Sequence, residues 1–187
     1  MVYVLLASGF EEIEAITPVD LLRRIDVDVM TVSLTDDLMV QGGHGIYIKA
    51  DITIKQVDFD ALTLLILPGG LGGVNTIADT PAAMDLISKT WNAEKMLAAI
   101  CAAPKLLASL DIIKGMSVVC HPSINNDVMN AGGRLIHNKH AVCDRNLVTG
   151  KAAASSFDFS LEIVAAIRNR ETSDRLRAEL FAGNFYV

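Results

Sequence analysis

The residue best placed for chemistry in this sequence is a cysteine at the end of an apolar run. Met96–Ile100 is short and uncharged, which predicts a buried central strand, and Pro104 suits the first turn of a helix, where its missing N–H is not needed. Cys101 then lies on the turn between strand and helix. Such an elbow holds a nucleophile above the carboxyl edge of a sheet and points the positive end of the helix at the sulfur, which favours the thiolate. Cys101 is also compatible with a small apolar residue that ends a buried strand.

Glu14 is the acid that could act together with such a thiolate. It is the last of three acids in the first turn of a predicted helix, and Glu11 and Glu12 suit the positive end of the helix dipole. A favourable interaction with the helix dipole could explain Glu14 too. Its side chain leaves the helix in a different direction, however, and is predicted to point inward. A protonated carboxyl can donate a hydrogen bond to the sulfur, and burial raises the pKa of a carboxyl. Glu14 is therefore a candidate general acid and base.

Two further features fall at the ends of predicted strands. His121 follows the apolar run Met116–Cys120. Its ring could move protons beside the thiolate or contact substrate, or it could simply be hydrogen-bonded to the backbone without a role in the site. Gly69 and Gly70 follow the run Leu62–Leu67 and could form only a tight turn. Two N–H groups after a strand could also face the oxyanion that forms when a thiolate adds to a carbonyl. The run is not a phosphate loop, because it lacks the Gly-Lys-Ser/Thr ending.

A zinc site is the competing interpretation of the histidines and cysteines in the second half of the chain. The residues that would have to form it are Cys120, His121, His137, His140 and Cys143. Cys120 and His121 are adjacent on one predicted strand and would point to opposite faces, and no Cys-x-x-Cys pair anchors the group. We therefore expect no metal and no cofactor, with Cys120 and Cys143 as core thiols.

The elements that must position these residues alternate between strands and helices. Buried strands are predicted at Val2–Leu6, Asp28–Leu34, Leu62–Leu67, Met96–Ile100, Met116–Cys120 and Leu147–Thr149, with hairpins within residues 35–55 and 134–144. Helices are predicted from Glu11, Pro81 (after Thr80 as its cap), Pro104, Phe157 and Glu171. This alternation predicts an open, mainly parallel α/β sheet with helices on both faces. In such sheets ligands bind outside the carboxyl ends of the strands.

Composition restricts the class of protein. The 187 residues are 51% apolar and 20% charged, which excludes a disordered chain and fits one domain over residues 1–187. A net charge of −6 without a basic stripe argues against nucleic acid as a partner, and no segment is long enough to span a membrane. The N-terminus lacks the basic region of a signal peptide, and the three cysteines lack framework spacing. We expect a cytoplasmic protein that binds neither nucleic acid nor membrane.

Four motifs in this order resemble the ThiJ/PfpI superfamily. They are Gly9–Glu14 with Pro18–Arg24, Leu67–Gly70, Ala99–Pro104 and His121-Pro122. The resemblance covers nearly the whole chain and is greatest to the branch of the parkinsonism-associated protein deglycase and the bacterial YajL-type proteins. It implies a flavodoxin-like fold of the class I glutamine amidotransferase type. It also implies a homodimer with the first helix at the interface.

The resemblance also implies a role for each site residue. Cys101 takes the place of the reactive cysteine, Glu14 that of the buried acid hydrogen-bonded to it, and His121 that of a nearby histidine. The backbone N–H groups that face the thiol would come from Gly69, Gly70 and Ala102.

The chain departs from this branch at two places. His44 stands where an arginine is usual, and Gly150–Ala154 replaces a segment of the Ser-Arg-Gly-Pro-Gly type. Both lie near the dimer interface or the pocket rim in the family. Substrate preference and subunit packing are the properties that these differences would alter.

Three functions are compatible with these residues. The leading one is glutathione-independent detoxification of reactive carbonyls, by a glyoxalase III-type conversion of methylglyoxal to lactate, by protein deglycation, or by both. Cys101 would be the nucleophile and Glu14 the acid and base. The second is a non-enzymatic oxidative-stress sensor or chaperone that acts through oxidation of Cys101. The third, a cysteine peptidase or amidase, needs an acid behind an oriented Cys-His pair, and none stands beside His121 in the sequence.

Overall fold

A seven-stranded sheet lies at the centre of the structure, a computed structural model that describes residues 1–181. The strands are β1 Val2–Leu6, β2 Val29–Ser33, β3 Met39–Gln41, β4 Tyr47–Lys49, β5 Ile52–Thr53, β6 Leu64–Leu67, β7 Met96–Ile100, β8 Ser117–Val118, β9 Arg134–Leu135, β10 Ala141–Asp144 and β11 Leu147–Gly150. The helices are α1 Glu12–Arg23, α2 Leu71–Ala78, α3 Pro81–Asn92, α4 Pro104–Ser109, α5 Asn125–Asn130, α6 Ser156–Ile167 and α7 Arg170–Leu180.

The order of the strands in the central sheet is β10-β11-β7-β6-β1-β2-β5. Every neighbouring pair is parallel except β10 with β11. Without the edge strands β10 and β5, the remaining five follow the flavodoxin-like order 2-1-3-4-5. The prediction of an open, mainly parallel sheet is therefore confirmed.

Helices cover both faces of this sheet, as predicted. On one face α1, α6 and α7 pack side chains such as Leu22 and Phe159 against the strands. On the other face α2, α3 and α4 contribute side chains such as Ile87 and Leu107. The central strands are thus buried on both faces, which explains their continuous apolar runs. Among the described helices, none combines the length and the apolar character that a membrane crossing requires.

The two predicted hairpins have different outcomes. Within residues 35–55, β3 and β4 pair antiparallel as predicted, while β5 pairs parallel with β2. The hairpin predicted within residues 134–144 is wrong, because β10 pairs antiparallel with β11 and β9 pairs with β8. The turn between β10 and β11 begins at Arg145, whose φ is +56°. It lacks the glycine by which such turns are recognised in a sequence.

The strand predicted at Met116–Cys120 is shorter than expected and lies outside the central sheet. Only β8 is extended, and it pairs parallel with β9 in a separate two-stranded sheet. Met116, Val118 and Cys120 are nevertheless buried, in the core beneath α4 and α5. Their apolar pattern therefore reflects helix packing and not a place in the main sheet.

Helices α2 and α5 are not predicted by the sequence pattern. The first begins at Leu71 inside the glycine-rich run, and glycine disfavours helix. Gly73 is required there by close packing, since a Cβ would lie 2.8 Å from the Cα of Phe10. Thr80 is the N-cap residue of α3 as predicted, but its side chain makes no capping bond, because its hydroxyl donates to the carbonyl of Thr76 at 2.7 Å.

Candidate active site

The candidate site lies at the carboxyl edge of the central sheet. Glu14 comes from α1, which follows β1, while Gly69 and Gly70 follow β6 and Cys101 follows β7. Strands β1 and β6 are the neighbours at which the strand order reverses. This switch point is where open α/β sheets bind their ligands. The topology therefore brings together segments that are far apart in the sequence.

Cys101 occupies a strained turn between β7 and α4. Its φ of +64° lies in the left-handed region, which residues other than glycine rarely adopt. Its N–H donates to the carbonyl of Gly150 at 3.0 Å, and its carbonyl accepts the N–H of His121 at 2.8 Å. Such strain persists where the surroundings over-determine the conformation, and it is typical of functional sites. The structure therefore places Cys101 on the predicted elbow.

Glu14 is fully buried beside this elbow, with an exposed fraction of 0%. Its Oε2 accepts the backbone N–H of Gly69 at 2.8 Å. Its Oε1 has no partner of regular hydrogen-bond geometry within residues 1–181, although the Cys101 thiol is close enough for each group to alter the other's pKa. A proton shared between carboxyl and thiol would satisfy this oxygen.

Burial controls the protonation of this pair. It raises the pKa of Glu14 to about 7, against the hydrogen bonds from Cys101 and Gly69, which favour the carboxylate. Burial and the negative charge of Glu14 raise the pKa of Cys101 to about 12, against the N–H groups of Gly70 and Ala102. Because each anion disfavours the other, the pair holds a single negative charge between these values. The thiolate forms when the remaining proton is on Glu14.

While Glu14 is ionised, the pKa of Cys101 stays above its ordinary value. Burial of the sulfur and the adjacent carboxylate outweigh the two N–H groups that favour the thiolate. The proton on Glu14, and not the helix alone, therefore controls formation of the nucleophile.

The two glycines after β6 serve different partners. The Gly69 N–H is directed at Glu14 and not at the thiol, which corrects the predicted role. The N–H groups of Gly70 and Ala102 are the backbone groups that lower the pKa of the Cys101 thiol. A Cβ on Gly69 would lie 2.6 Å from the Cβ of Cys101, so no side chain fits between the acid and the thiol.

His121 meets Cys101 through its backbone N–H. Its ring Nδ1 accepts the N–H of Ser123 at 3.2 Å and lies 2.8 Å from the Ser123 hydroxyl. Within residues 1–181, no hydrogen bond joins this ring to Cys101 or to an acid. The described residues therefore do not form an aligned Cys-His-acid triad.

Glu12 and His44 form a polar cluster next to the site that the sequence analysis did not identify. Glu12 is 5% exposed, and its two oxygens accept the His44 backbone N–H and contact the His44 Nδ1, both at 2.8 Å. Burial raises the pKa of Glu12, but hydrogen bonds from His44 and Ile46 outweigh it and lower the pKa. The contact with Glu12 and the charge of Glu11 raise the pKa of His44. The acidic run Glu11–Glu14 could not reveal His44 as the partner of Glu12, because His44 lies in a loop that is distant in the sequence.

The histidines and cysteines of the zinc hypothesis are not grouped, and the possible metal ligands that do lie together are in the first half of the chain. In the described part of the chain, ligating atoms of Glu11, Glu12 and His44 lie within 4.8 Å of one another, whereas no three members of the histidine and cysteine set do. The Cys120 thiol instead contacts the Asn125 side chain at 3.5 Å. Cys120 is buried, and Cys143 is half-buried.

The model of the DJ-1/PfpI family matches residues 1–166. The chain belongs to the DJ-1/PfpI family. Protein dj-1beta of Drosophila melanogaster is 32% identical over 168 residues, which cover 90% of this chain and 89% of that protein. The resemblance recognised from four motifs is therefore confirmed.

Solved structures of DJ-1 proteins share the fold over almost the whole chain. A mutant of the DJ-1 superfamily protein STM1931 from Salmonella typhimurium superposes with a TM-score of 0.86 at 32% identity, covering 98% of both chains. Oxidised DJ-1 of Toxoplasma gondii superposes with a TM-score of 0.89 at 25% identity, again covering 98% of both. The flavodoxin-like α/β fold of this DJ-1/PfpI protein is thereby confirmed.

Proposed function

We propose that this DJ-1/PfpI protein is a cytoplasmic, cysteine-dependent enzyme that removes reactive carbonyls. It would convert methylglyoxal to lactate without glutathione, remove early glycation adducts from proteins, or do both. The observation that carries the proposal is the buried Glu14, whose pKa is raised to about 7 beside the Cys101 thiol. A group that titrates near the operating pH can both accept and donate a proton during one reaction cycle.

The reaction begins with addition of the Cys101 thiolate to the aldehyde carbon of methylglyoxal. A C–S bond forms, the carbonyl π electrons move to oxygen, and protonation of that oxygen gives a hemithioacetal. The N–H groups of Gly70 and Ala102, which favour the thiolate in the resting site, would stabilise the negative charge that develops on this oxygen.

Glu14 then moves a proton between the two substrate carbons. Its carboxylate removes the proton from the carbon bonded to sulfur, giving an enediol, and a proton is returned to the neighbouring carbon. The former aldehyde carbon is thereby oxidised to a thioester and the ketone carbon reduced to an alcohol, so no external oxidant is needed. Water cleaves the thioester, which releases lactate and restores the thiol.

The test is a steady-state assay with methylglyoxal in the absence of glutathione, following D- and L-lactate. We expect many turnovers per subunit in the wild type and none in Cys101→Ser or Glu14→Ala. Cys143→Ser is the matched control, since this half-buried thiol lies on β10 and should be dispensable. Absence of turnover in the wild type would refute the conversion of methylglyoxal to lactate.

A second function, oxidative-stress sensing, is favoured by the same hydrogen-bond donors. Peroxide would oxidise the Cys101 thiolate to a sulfenate and a second equivalent would give a sulfinate, with one water released at each step. Protonated Glu14 and the N–H groups of Gly70 and Ala102 could bond the sulfinate oxygens. The related Toxoplasma gondii protein has been solved in an oxidised form. A sensor would saturate once each Cys101 is oxidised, whereas an enzyme continues to turn over substrate.

A peptidase or amidase finds less support in this site. That chemistry needs a histidine oriented by an acid. The His121 ring is instead hydrogen-bonded to Ser123.

We also propose that the chain forms a homodimer through α1. Ile13 and Ile16, one turn apart on this helix, have exposed fractions of 50% and 37%. Adjacent apolar side chains exposed on a helix indicate a surface that a partner covers.

A further inference from the structure

Thr149 is a fully buried polar residue of β11, beside the strand that leads to Cys101. Its exposed fraction is 0%. In the register of the sheet Thr149 pairs with Ala99 and Gly150 with Ile100, the last residue before the elbow. Because side chains alternate along a strand, Thr149 faces the same side as Leu147, which is the side of α2, α3 and α4.

The Thr149 hydroxyl anchors the segment that follows β8. Its Oγ1 accepts the backbone N–H of Val119 at 3.0 Å. Val119 is itself buried and lies beyond the short pairing of β8 with β9, so its N–H needs an acceptor outside a sheet ladder. Two residues later, the N–H of His121 donates to the carbonyl of Cys101 at 2.8 Å. The segment is therefore held between β11 and the elbow.

Both hydrogen bonds that hold the Cys101 backbone thus depend on neighbouring residues of β11. The carbonyl of Gly150 directly accepts the Cys101 N–H at 3.0 Å. Thr149 supports the Cys101 carbonyl indirectly. It bonds the N–H of Val119, and the same segment presents the N–H of His121 to that carbonyl. A left-handed φ such as the +64° of Cys101 is retained where surrounding contacts over-determine it, and the two bonds of the Cys101 backbone are such contacts.

We propose that Thr149 is a positioning residue for the Cys101 nucleophile. Its hydroxyl fixes Val119, the fixed segment presents the His121 N–H to the Cys101 carbonyl, and this bond holds the elbow that carries the sulfur. The inference rests on the proposed function only in taking Cys101 as the reacting group.

The experiment measures the rate constant for alkylation of Cys101 by iodoacetamide across a range of pH, with the modified cysteine identified by mass spectrometry. Thr149→Val keeps the shape but removes the acceptor, and it should slow the reaction about tenfold, the factor expected when one buried hydrogen bond of ~1.4 kcal/mol is lost. Thr149→Ser keeps a hydroxyl acceptor, so its rate constant should lie within about twofold of the wild type. A difference of about twofold is much smaller than the roughly tenfold loss expected when the hydrogen bond is removed.

Thr90→Val is the matched control. Thr90 is also fully buried, but its hydroxyl donates within α3, to the carbonyl of Leu86 at 2.7 Å. Its substitution should leave Cys101 alkylation unchanged. A wild-type rate in Thr149→Val, a rate in Thr149→Ser as slow as that of the valine variant, or an equal loss in Thr90→Val would each overturn the proposal.

Hydrogen exchange of the wild type decides the question if Thr149→Val does not fold. The amides of Val119 and His121 should be protected together, and exchange of either as fast as exposed loop amides would overturn the proposal. Turnover of methylglyoxal in the same proteins separates this inference from the proposed function. The expected alkylation pattern without turnover would refute the enzyme alone, whereas full turnover and full alkylation in Thr149→Val would refute the positioning role alone.

Discussion

The backbone N–H of Gly69 donates to the Oε2 of Glu14 at 2.8 Å. This bond ties the end of β6 to the first turn of α1 and leaves Oε1 as the oxygen available for proton exchange with Cys101. Gly69 therefore orients the acid, whereas Gly70 and Ala102 act on the sulfur. A general acid and base needs this kind of support from groups outside the reacting pair.

The reactivity of Cys101 should rise with pH through a midpoint near 7, where the coupled pair loses its first proton. Below this pH both groups are protonated and no thiolate exists. In Glu14→Gln no acid can take the thiol proton, and burial still disfavours the thiolate, so the midpoint should move well above 7. Alkylation kinetics measured against pH test both statements. An unchanged midpoint in Glu14→Gln would show that Glu14 does not control the thiol.

Glu14 should also make the stability of the fold depend on pH. Its pKa is about 7 in the folded protein against 4.5 for the free side chain, so the folded chain binds more protons between these values. This contribution to stability is complete below 4.5 and is lost as pH rises through about 7, by about 3 kcal/mol. Urea unfolding should find Glu14→Gln close to wild type at about pH 4 and more stable by about 3 kcal/mol at about pH 8. A difference that does not vary with pH would contradict the burial of an ionisable Glu14.

Replacing Gly69 by alanine should damage the site without changing its ionisable residues. The added Cβ would lie 2.6 Å from the Cβ of Cys101 and would also collide with the Glu14 carboxyl. Overpacking of this kind costs roughly 1–3 kcal/mol, and Cys101 alkylation should slow by about tenfold or more. Gly72→Ala is the control, because its Cβ would be 3.4 Å from the nearest atom, an ordinary contact. Equal effects of the two substitutions would argue against a specific fit at Gly69.

The strands of the fold are predictable from the sequence only where burial comes from the main sheet. β1, β6 and β7 are covered on both faces and appear as uninterrupted apolar runs. Met116–Cys120 has a similar pattern but is buried by α4 and α5, so periodicity cannot reveal that β8 leaves the sheet. α2 is missed because Gly73 is required by its contact with Phe10, which outweighs its low helix propensity.

The identity of the site residues can be predicted from the sequence better than their pKa shifts can. The strand-to-helix turn at Cys101 and the inward position of Glu14 follow from local sequence pattern, supported by the family resemblance. The direction of the Cys101 pKa shift does not, because it depends on burial and on a carboxyl from another element. The Gly69 bond to Glu14 and the Thr149 bond to Val119 likewise join segments that only the tertiary fold brings together.

His44 should titrate above its ordinary value of 6.5, because Glu12 and Glu11 stabilise its protonated ring. Below the raised pKa the charged ring is bound to Glu12, and the charge is lost as pH rises through it. An NMR titration of the imidazole should therefore give a raised pKa in the wild type and a value nearer 6.5 in Glu12→Gln. Glu179→Gln, at an exposed position on α7, should leave the titration unchanged. A His44 pKa at or below 6.5 in the wild type would contradict the contact.

Substitution of Ile13 by glutamate should convert the proposed dimer to a monomer. Ile13 and Ile16 are exposed on α1 by 50% and 37%, and covering these exposed parts against a partner contributes about 0.5–1.5 kcal/mol of association free energy each. Two such helices meeting would place four of these side chains at one interface, where a buried glutamate would be strongly unfavourable. Light scattering coupled to size exclusion should find a dimer in the wild type and in Met129→Glu, which alters an exposed apolar residue on α5. A dimer that survives Ile13→Glu would place the interface elsewhere on the surface, and then α1, which carries Glu14, would not be held by a second subunit.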